Sequence, residues 1–260
     1  MQHLFNKVNS FYLSDIKNAT HPSIFIEEEK YDILILVLPY DEQGLKMASY
    51  AFVFDKTSCY YFDKSKGEFV DFESMQKVYE FLNEKTNKVM KLVANINESI
   101  DNIEEQLYDK TKVSNFMHYW LSSKKDLSRI NRVLIHGVDV LDDFITKYLK
   151  EEDFLAIHFK DIHEHIGRTN RSSLLAIDKL NNLYNFYTSR NNEKMNKTIY
   201  LLTIVSGIFL PLHLIVGFFG MNTAGLPFDG IPNATSFVMM MMFSWATMAV
   251  SLILFYKRKL

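Results

Sequence analysis

One cysteine, five prolines and nine glycines in 260 residues leave few ways to cross-link, break or sharply turn this chain. Cys59 by itself can form neither an intramolecular disulfide nor a thiolate metal cluster, which fits a reducing compartment. It reads as a small buried hydrophobe. Between Glu73 and Pro211 there is no proline, so nothing in that stretch forbids long helices. Neither sign of charge is in excess: 29 Lys and Arg stand against 31 Asp and Glu, a formal charge of −2. Phosphate recognition leaves a basic surplus, so no nucleic-acid partner is expected. Residues 1–7 lack the basic start and long apolar run of a secretion signal, which predicts a cytosolic N-terminal domain. Repeats, a glycine-rich phosphate loop and a nucleophile elbow are absent, and Asp32 with Asp55 brings no acid–base partner chemistry. The chain is therefore not expected to be an enzyme.

The absence that decides most is local. From Thr198 to Tyr256 the only formally charged side chain is Asp229, and His213 is the only other titratable group of note. The first apolar span, 198–219, reaches about 33 Å at ~1.5 Å per residue, enough for a hydrocarbon core of ~30 Å. A second span of the same length, 235–256, contains the run Met239 to Met242, whose flexible thioethers pack adaptably. Arg190, Lys194 and Lys197 precede the first span and Lys257, Arg258 and Lys259 follow the second, whereas the loop 220–234 has no Lys or Arg. Positive residues stay on the cytoplasmic side, so both termini, with the basic tail 257–260, are expected in the cytoplasm of a plasma (inner) membrane protein.

Upstream, β-branched and aromatic runs predict strands over 31–39, 50–54, 58–62 and 68–72. Helical spacing dominates 74–110, 112–150 and from 153 onward. The fold class that follows is an α+β membrane protein. A cytoplasmic α/β and helical domain covers 1–152, and a stalk helix over 153–197 continues without a breaker into the first span. Leu174, Ile177, Leu180, Tyr184 and Tyr187 recur every three or four residues along the stalk, a stripe that a lone helix cannot bury. Several subunits packed around these helices would cover it.

Gly220-Met221-Asn222 follows a proline-containing apolar helix and precedes a second span and a basic C-terminus. Before it come Met195-Asn196, Leu202-Thr203-Ile204, Ile208-Phe209-Leu210-Pro211-Leu212 and Gly217-Phe218-Phe219 in order, and further upstream Phe159-Lys160-Asp161-Ile162-His163-Glu164-His165. Roughly the last 105 residues thus resemble the CorA family of divalent-cation channels, whose hallmark is Gly-Met-Asn. The resemblance implies a homopentameric funnel in the lipid bilayer, a pore lined by the first span, and Mg²⁺ as both transported and regulatory ion. It also implies an inter-subunit Mg²⁺ site at the position of Asp161.

The residues make a physical case of their own. Asn196, Ile199, Thr203, Ser206, Leu210, His213 and Gly217 fall on one helical face at alternating three- and four-residue steps. Lipid offers no partner to the Asn, Thr, Ser or His side chains, so this face should turn inward around a narrow polar path with an apolar ring at Leu210. Asn222 reads as a ring of amide carbonyls that, with the Gly220 backbone, meets a hydrated ion; Mg²⁺ sheds water reluctantly. Its alternative is a turn cap, and Met221 packs the loop.

His213 departs from the small hydroxyl residue usual in Mg²⁺ channels. An imidazole suits Zn²⁺, Ni²⁺ or Co²⁺ better and repels cations when protonated; the alternative is a ring turned aside to hydrogen-bond. The segment Gly225-Leu226-Pro227-Phe228-Asp229 looks more like the ZntB zinc-transporting branch of the superfamily, although Met221 points back to the Mg²⁺ side. On the stalk, His158, Asp161 and His165 stand at i, i+3 and i+7, where they form either a metal site or a solvated charged face. Lys124, Lys125, Arg129 and Arg132 read as a solvated helix face or a contact for anionic lipid. The expectation is a channel for uptake of Mg²⁺, with Co²⁺ or Ni²⁺, driven by membrane potential. A ZntB-like, proton-coupled Zn²⁺ transporter is the alternative.

Overall fold

The computed structural model describes residues 7–55, 58–109, 115–151, 154–221, 230 and 232–259. A short helix, α1 (Ser10–Lys17), precedes the strands β1 (Ile24–Glu27), β2 (Asp32–Asp41), β3 (Leu45–Phe54), β4 (Cys59–Asp63) and β5 (Glu68–Asp71). The helices α2 (Met75–Tyr108), α3 (Phe116–Tyr148), α4 (Ala156–Phe219) and α5 (Ala234–Lys259) follow. The chain divides into two compact units, Met1–Asn185 and Phe186–Leu260, with the division inside α4.

In the first unit the strands form an antiparallel meander in the order β1-β2-β3-β4-β5. Both faces of β2 are covered, which is why its sequence is continuously apolar rather than alternating. Leu34, Leu36 and Leu38 join Phe52 and Phe54 of β3 in a core with Val78, Leu82, Leu134 and Phe144 from α2 and α3. Ile33 and Ile35 point the other way, with Ala51 and Val53, into a second core closed by Val8 and by Ile16 of α1. Gly137 lets α3 approach the sheet: a Cβ there would stand 3.4 Å from Leu36 Cδ1.

Sequence patterning misses α1 and β1, which at eight and four residues are too short to show a period. It also ends β2 at Pro39, whereas the strand continues to Asp41. The Val37 N–H donates to Ser23 Oγ at 3.0 Å, on the β1 side, and the Pro39 nitrogen faces that same side. The ladder with β1 stops at Ile35, so the missing N–H breaks no pairing there.

Helices α2 and α3 bury one stripe each, through Val78, Leu82, Val89 and Val93 and through Leu127, Ile130, Leu134 and Leu141. The stalk stripe needs correction. Leu180 is buried and Ile177, Tyr184 and Tyr187 are half-buried as expected, but Leu174 is 45% exposed, and Ser173, Ala176 and Leu183 also turn inward. Small residues serve there because the helices also meet through polar side chains that need close approach: Asn131 to Asn170 at 2.6 Å, Asn97 to Ser172 at 2.9 Å and Lys124 to Asn181 at 2.8 Å. Lys179 reaches Asp101 at 2.8 Å and also pairs with Glu104.

Burial pushes the Tyr50 hydroxyl up to about 12 and the Cys59 thiol up to about 11. Burial, then the 2.8 Å bond to Asp32, raises Tyr148 as well. These groups keep their protons in the fold while the unfolded chain releases them near 10.0 for Tyr and 9.0 for Cys. For Cys59 and Tyr50 this stabilisation is complete below pH 9.0 and disappears as pH rises through about 11 and about 12 respectively. The denaturation midpoint, followed by circular dichroism in detergent, is expected to fall above pH 10.0, and to fall less steeply in Tyr50→Phe.

Candidate functional site

In the second unit the apolar part of α4 is uncovered: Leu210 is 68% and Leu214 73% exposed. Among the described residues, α4 is the helix long and apolar enough to cross a membrane, and the apolar stretch described in α5 is the shorter Thr235–Ser251. Polar side chains on α4 are tied to its own backbone. Thr198 Oγ1 donates to Lys194 O at 3.1 Å, and Thr203 Oγ1 to Ile199 O at 2.9 Å. With its proton so used, the Thr203 oxygen presents lone pairs outward, which suits a hydrated cation. Pro211 lies within the helix and has no N–H to give the Gly207 carbonyl.

The predicted pore face occupies one side of this helix. Ile204, Ile208, Pro211, Leu212, Ile215 and Phe219 are half-buried, and so are Val238, Met242, Trp245, Ala246 and Ala249 of α5. Each set recurs every three or four residues, as two helices shielding one another would show. At about 100° per residue, the face carrying Asn196, Ile199, Thr203, Leu210, His213 and Gly217 is centred roughly 180° from the shielded stripe of α4. Ser206 belongs to the same face and is half-buried; the others are exposed. The polar face is therefore turned away from α5.

His213 Nδ1 lies 3.1 Å from Phe209 O. A carbonyl only accepts, so Nδ1 carries the proton of that bond and Nε2 keeps the lone pair of the neutral ring. This is the arrangement of many metal-ligating histidines, in which one nitrogen is fixed by a carbonyl and the other is left for the ion. At the end of α4, Gly220 N donates to Val216 O at 2.9 Å. A Cβ on Gly220 would also stand 2.9 Å from that oxygen, so the tight exit requires glycine. Met221 is exposed, while Asn222 and 223–229, including Asp229, lie outside the described residues.

The stalk residues are only partly brought together. His165 Nε2 is 3.5 Å from Asp161 Oδ1, but the His158 ring sits edge-on to Tyr79 with centroids 4.8 Å apart. Arg168 bonds Glu164 at 2.6 Å and holds its carboxyl below the usual range. Among the described residues no three His, Cys, Asp or Glu side chains converge to hold a metal ion. The acids Asp32 and Asp55 have structural partners, Tyr148 and Lys7 respectively. Sequence reading missed the inter-helix polar contacts; asparagines at successive positions of otherwise amphipathic helices were the available signal.

Comparison with known proteins agrees with this arrangement of elements. The family model for the CorA-like Mg²⁺ transporter protein matches residues 73–258, and the chain belongs to that family. The cobalt/magnesium transport protein CorA of Methanocaldococcus jannaschii is 29% identical over 171 residues, 64% of this chain and 52% of that protein. The zinc transport protein ZntB of Vibrio parahaemolyticus is 26% identical over 140 residues, 53% of this chain and 43% of its own. The chain spans about half the length of the curated relatives it matches. The complete structure of the M. jannaschii CorA magnesium transporter superposes with a TM-score of 0.77 at 20% identity, covering 95% of this chain and 83% of that one. At that identity the likeness establishes the fold.

Proposed function

We propose that the chain forms a channel passing divalent cations, Mg²⁺ first, inward across the plasma (inner) membrane down the membrane potential. The observation that carries this reading is the mixed polar face of α4 turned away from α5. A mere anchor has no use for it, and copies of α4 arranged around an axis would make it a continuous path. In this reading five copies assemble with 1–152 and the stalk 153–197 in the cytoplasm. Span 198–219 lines the pore, loop 220–234 carries the Gly220-Met221-Asn222 mouth outside, and span 235–256 packs around it. Both termini are cytoplasmic. A potential of 100 mV, negative inside, favours a divalent cation by about 4.6 kcal/mol, so no other energy source is needed. Asp161, with His158 and His165 near it on the stalk, is proposed as half of a regulatory Mg²⁺ site completed by an acid from the neighbouring subunit.

A second reading is transport of Zn²⁺ or another transition metal, coupled to protons, and the free Nε2 of His213 favours it. The experiment that separates the two is purified protein in dye-loaded liposomes, offered Mg²⁺, Zn²⁺, Co²⁺ and Ni²⁺ with and without a potential and a proton gradient. Potential-driven Mg²⁺ uptake insensitive to the proton gradient is the expected result; Zn²⁺ uptake that follows the proton gradient would replace it with the second reading. His213→Thr is expected to lower Zn²⁺, Co²⁺ and Ni²⁺ flux relative to Mg²⁺ by about tenfold, the scale of one good ligand's worth of discrimination. An unchanged ratio would return His213 to a packing role.

A further inference from the structure

Two of the large cavities in the first unit differ in character. One, of about 680 Å³, is lined by Glu28, Glu29, Asp32, Asp55, Glu73 and Glu151, and among the described residues Lys30 and Lys147 are its cations. The other, of about 630 Å³, lies where α3 crosses β2, β3 and the segment before β1, and its lining includes His21, Lys46, Arg129, Arg132 and His136. No Asp or Glu is among the described residues that line it. Arg129, Arg132 and His136 stand at i, i+3 and i+7, so one face of α3 delivers all three to the same side.

These groups are largely uncommitted. Arg132 and His136 have no hydrogen-bond or ion-pair partner among the described residues. Arg129 donates to Leu45 O at 3.4 Å, which steers its guanidinium toward β3 and still leaves donors free. Lys46 is shared with Glu42 at 3.0 Å, and His21 Nε2 lies 3.6 Å from Asp15, so these two are partly compensated at the rim. Beside the cations, Val37, Tyr40 and Met47 supply an apolar floor. Two arginines, with their planar donor forks, suit phosphate oxygens, while an aromatic and aliphatic floor suits a flat apolar group. The volume falls in the range of small-molecule sites.

We propose that this pocket binds a nucleoside polyphosphate in its metal-free form, with the phosphates on Arg129 and Arg132 and the nucleoside on the Tyr40 and Met47 side. No carboxylate lines the pocket among the described residues, and the nearby acids Glu42 and Asp15 are engaged by Lys46 and His21, so little is left to hold a bridging divalent ion and the magnesium complex should bind more weakly. The test is calorimetric titration of the full chain in detergent with ATP, once in chelator and once with excess Mg²⁺. Saturable binding of one ATP per chain in chelator is expected. It should weaken by about tenfold or more in Arg129→Ala/Arg132→Ala, while Lys77→Ala/Lys88→Ala, which removes equal charge outside the pocket, leaves it unchanged. Both arginines are exposed, so the double variant should keep the parent melting temperature, measured alongside. Absence of saturable binding, or equal weakening in both double variants, would overturn the proposal. So would inorganic tripolyphosphate binding as well as ATP, or phosphatidylglycerol vesicles displacing ATP competitively, which would give the pocket to any phosphate chain or to a lipid headgroup.

Discussion

Asn222→Ala is expected to reduce Mg²⁺ uptake into liposomes to the level of protein-free vesicles, with helix content and oligomer size unchanged. The side chain offers a carbonyl acceptor without charge, which can hydrogen-bond the waters of a hydrated Mg²⁺ without stripping them. In the proposed assembly around an axis, one substitution removes every copy of that acceptor at once, so the effect on capture of the ion is multiplied by the number of subunits. Asn222→Gln, which keeps the amide on a longer arm, should retain measurable flux. Parent-level uptake in Asn222→Ala would remove the loop from ion selection. If the parent chain itself gave no uptake under any gradient, a membrane-anchored scaffold would become the better reading.

Phe144→Ala is expected to destabilise the first unit by about 3–5 kcal/mol, the usual cost of emptying a large core site. Its ring meets Phe54 at 5.2 Å, Phe159 at 5.3 Å, Phe25 at 5.5 Å and Tyr148 at 4.9 Å between centroids. These neighbours come from both sheet and helices, so the cavity cannot close by moving one element. Phe144→Leu keeps much of the volume and should cost about 1–2 kcal/mol. Urea titration by circular dichroism measures both; a change under 1 kcal/mol on the order of a surface substitution for Phe144→Ala would mean that the aromatic cluster does not close the core.

The apolar stretch of α4 was legible because its signal is strong and local: 22 residues nearly free of charge can be read without knowing what packs on them. The buried run of β2 was legible for the same reason. Helix α1 was not, since only Ile16 of its eight residues is buried and one buried position has no period. At Leu174 the stalk stripe fails because hydrophobicity does not mark the inward side there: Ser173 and Ala176 face inward, and Asn170 and Ser172 reach their partners beside them. Of the candidate site, the polar face of the first span was visible in spacing alone. That α5 shields the other side required coordinates, because only packing distinguishes an outward Leu210 from an inward Leu212. The basic pocket was half visible: Arg129 and Arg132 stood out as a cluster, but Lys46 and His21 join them only through the fold.

The chain has two tryptophans, and the fold assigns one to each unit. Trp120 is stacked on Tyr184 with centroids 4.6 Å apart and planes inclined by 27°, under the Lys124 ammonium at 4.9 Å. Trp245 lies in the half-buried stripe of α5. The molecule therefore carries two intrinsic optical reporters with separate addresses. In Trp245→Phe, emission and near-ultraviolet dichroism come from the Trp120 stack and track any parting of α3 from α4. In Trp120→Phe, the remaining emission belongs to α5 and, in the proposed arrangement with 235–256 as a span, should be quenched by bromine placed on lipid tails but not by iodide in the water.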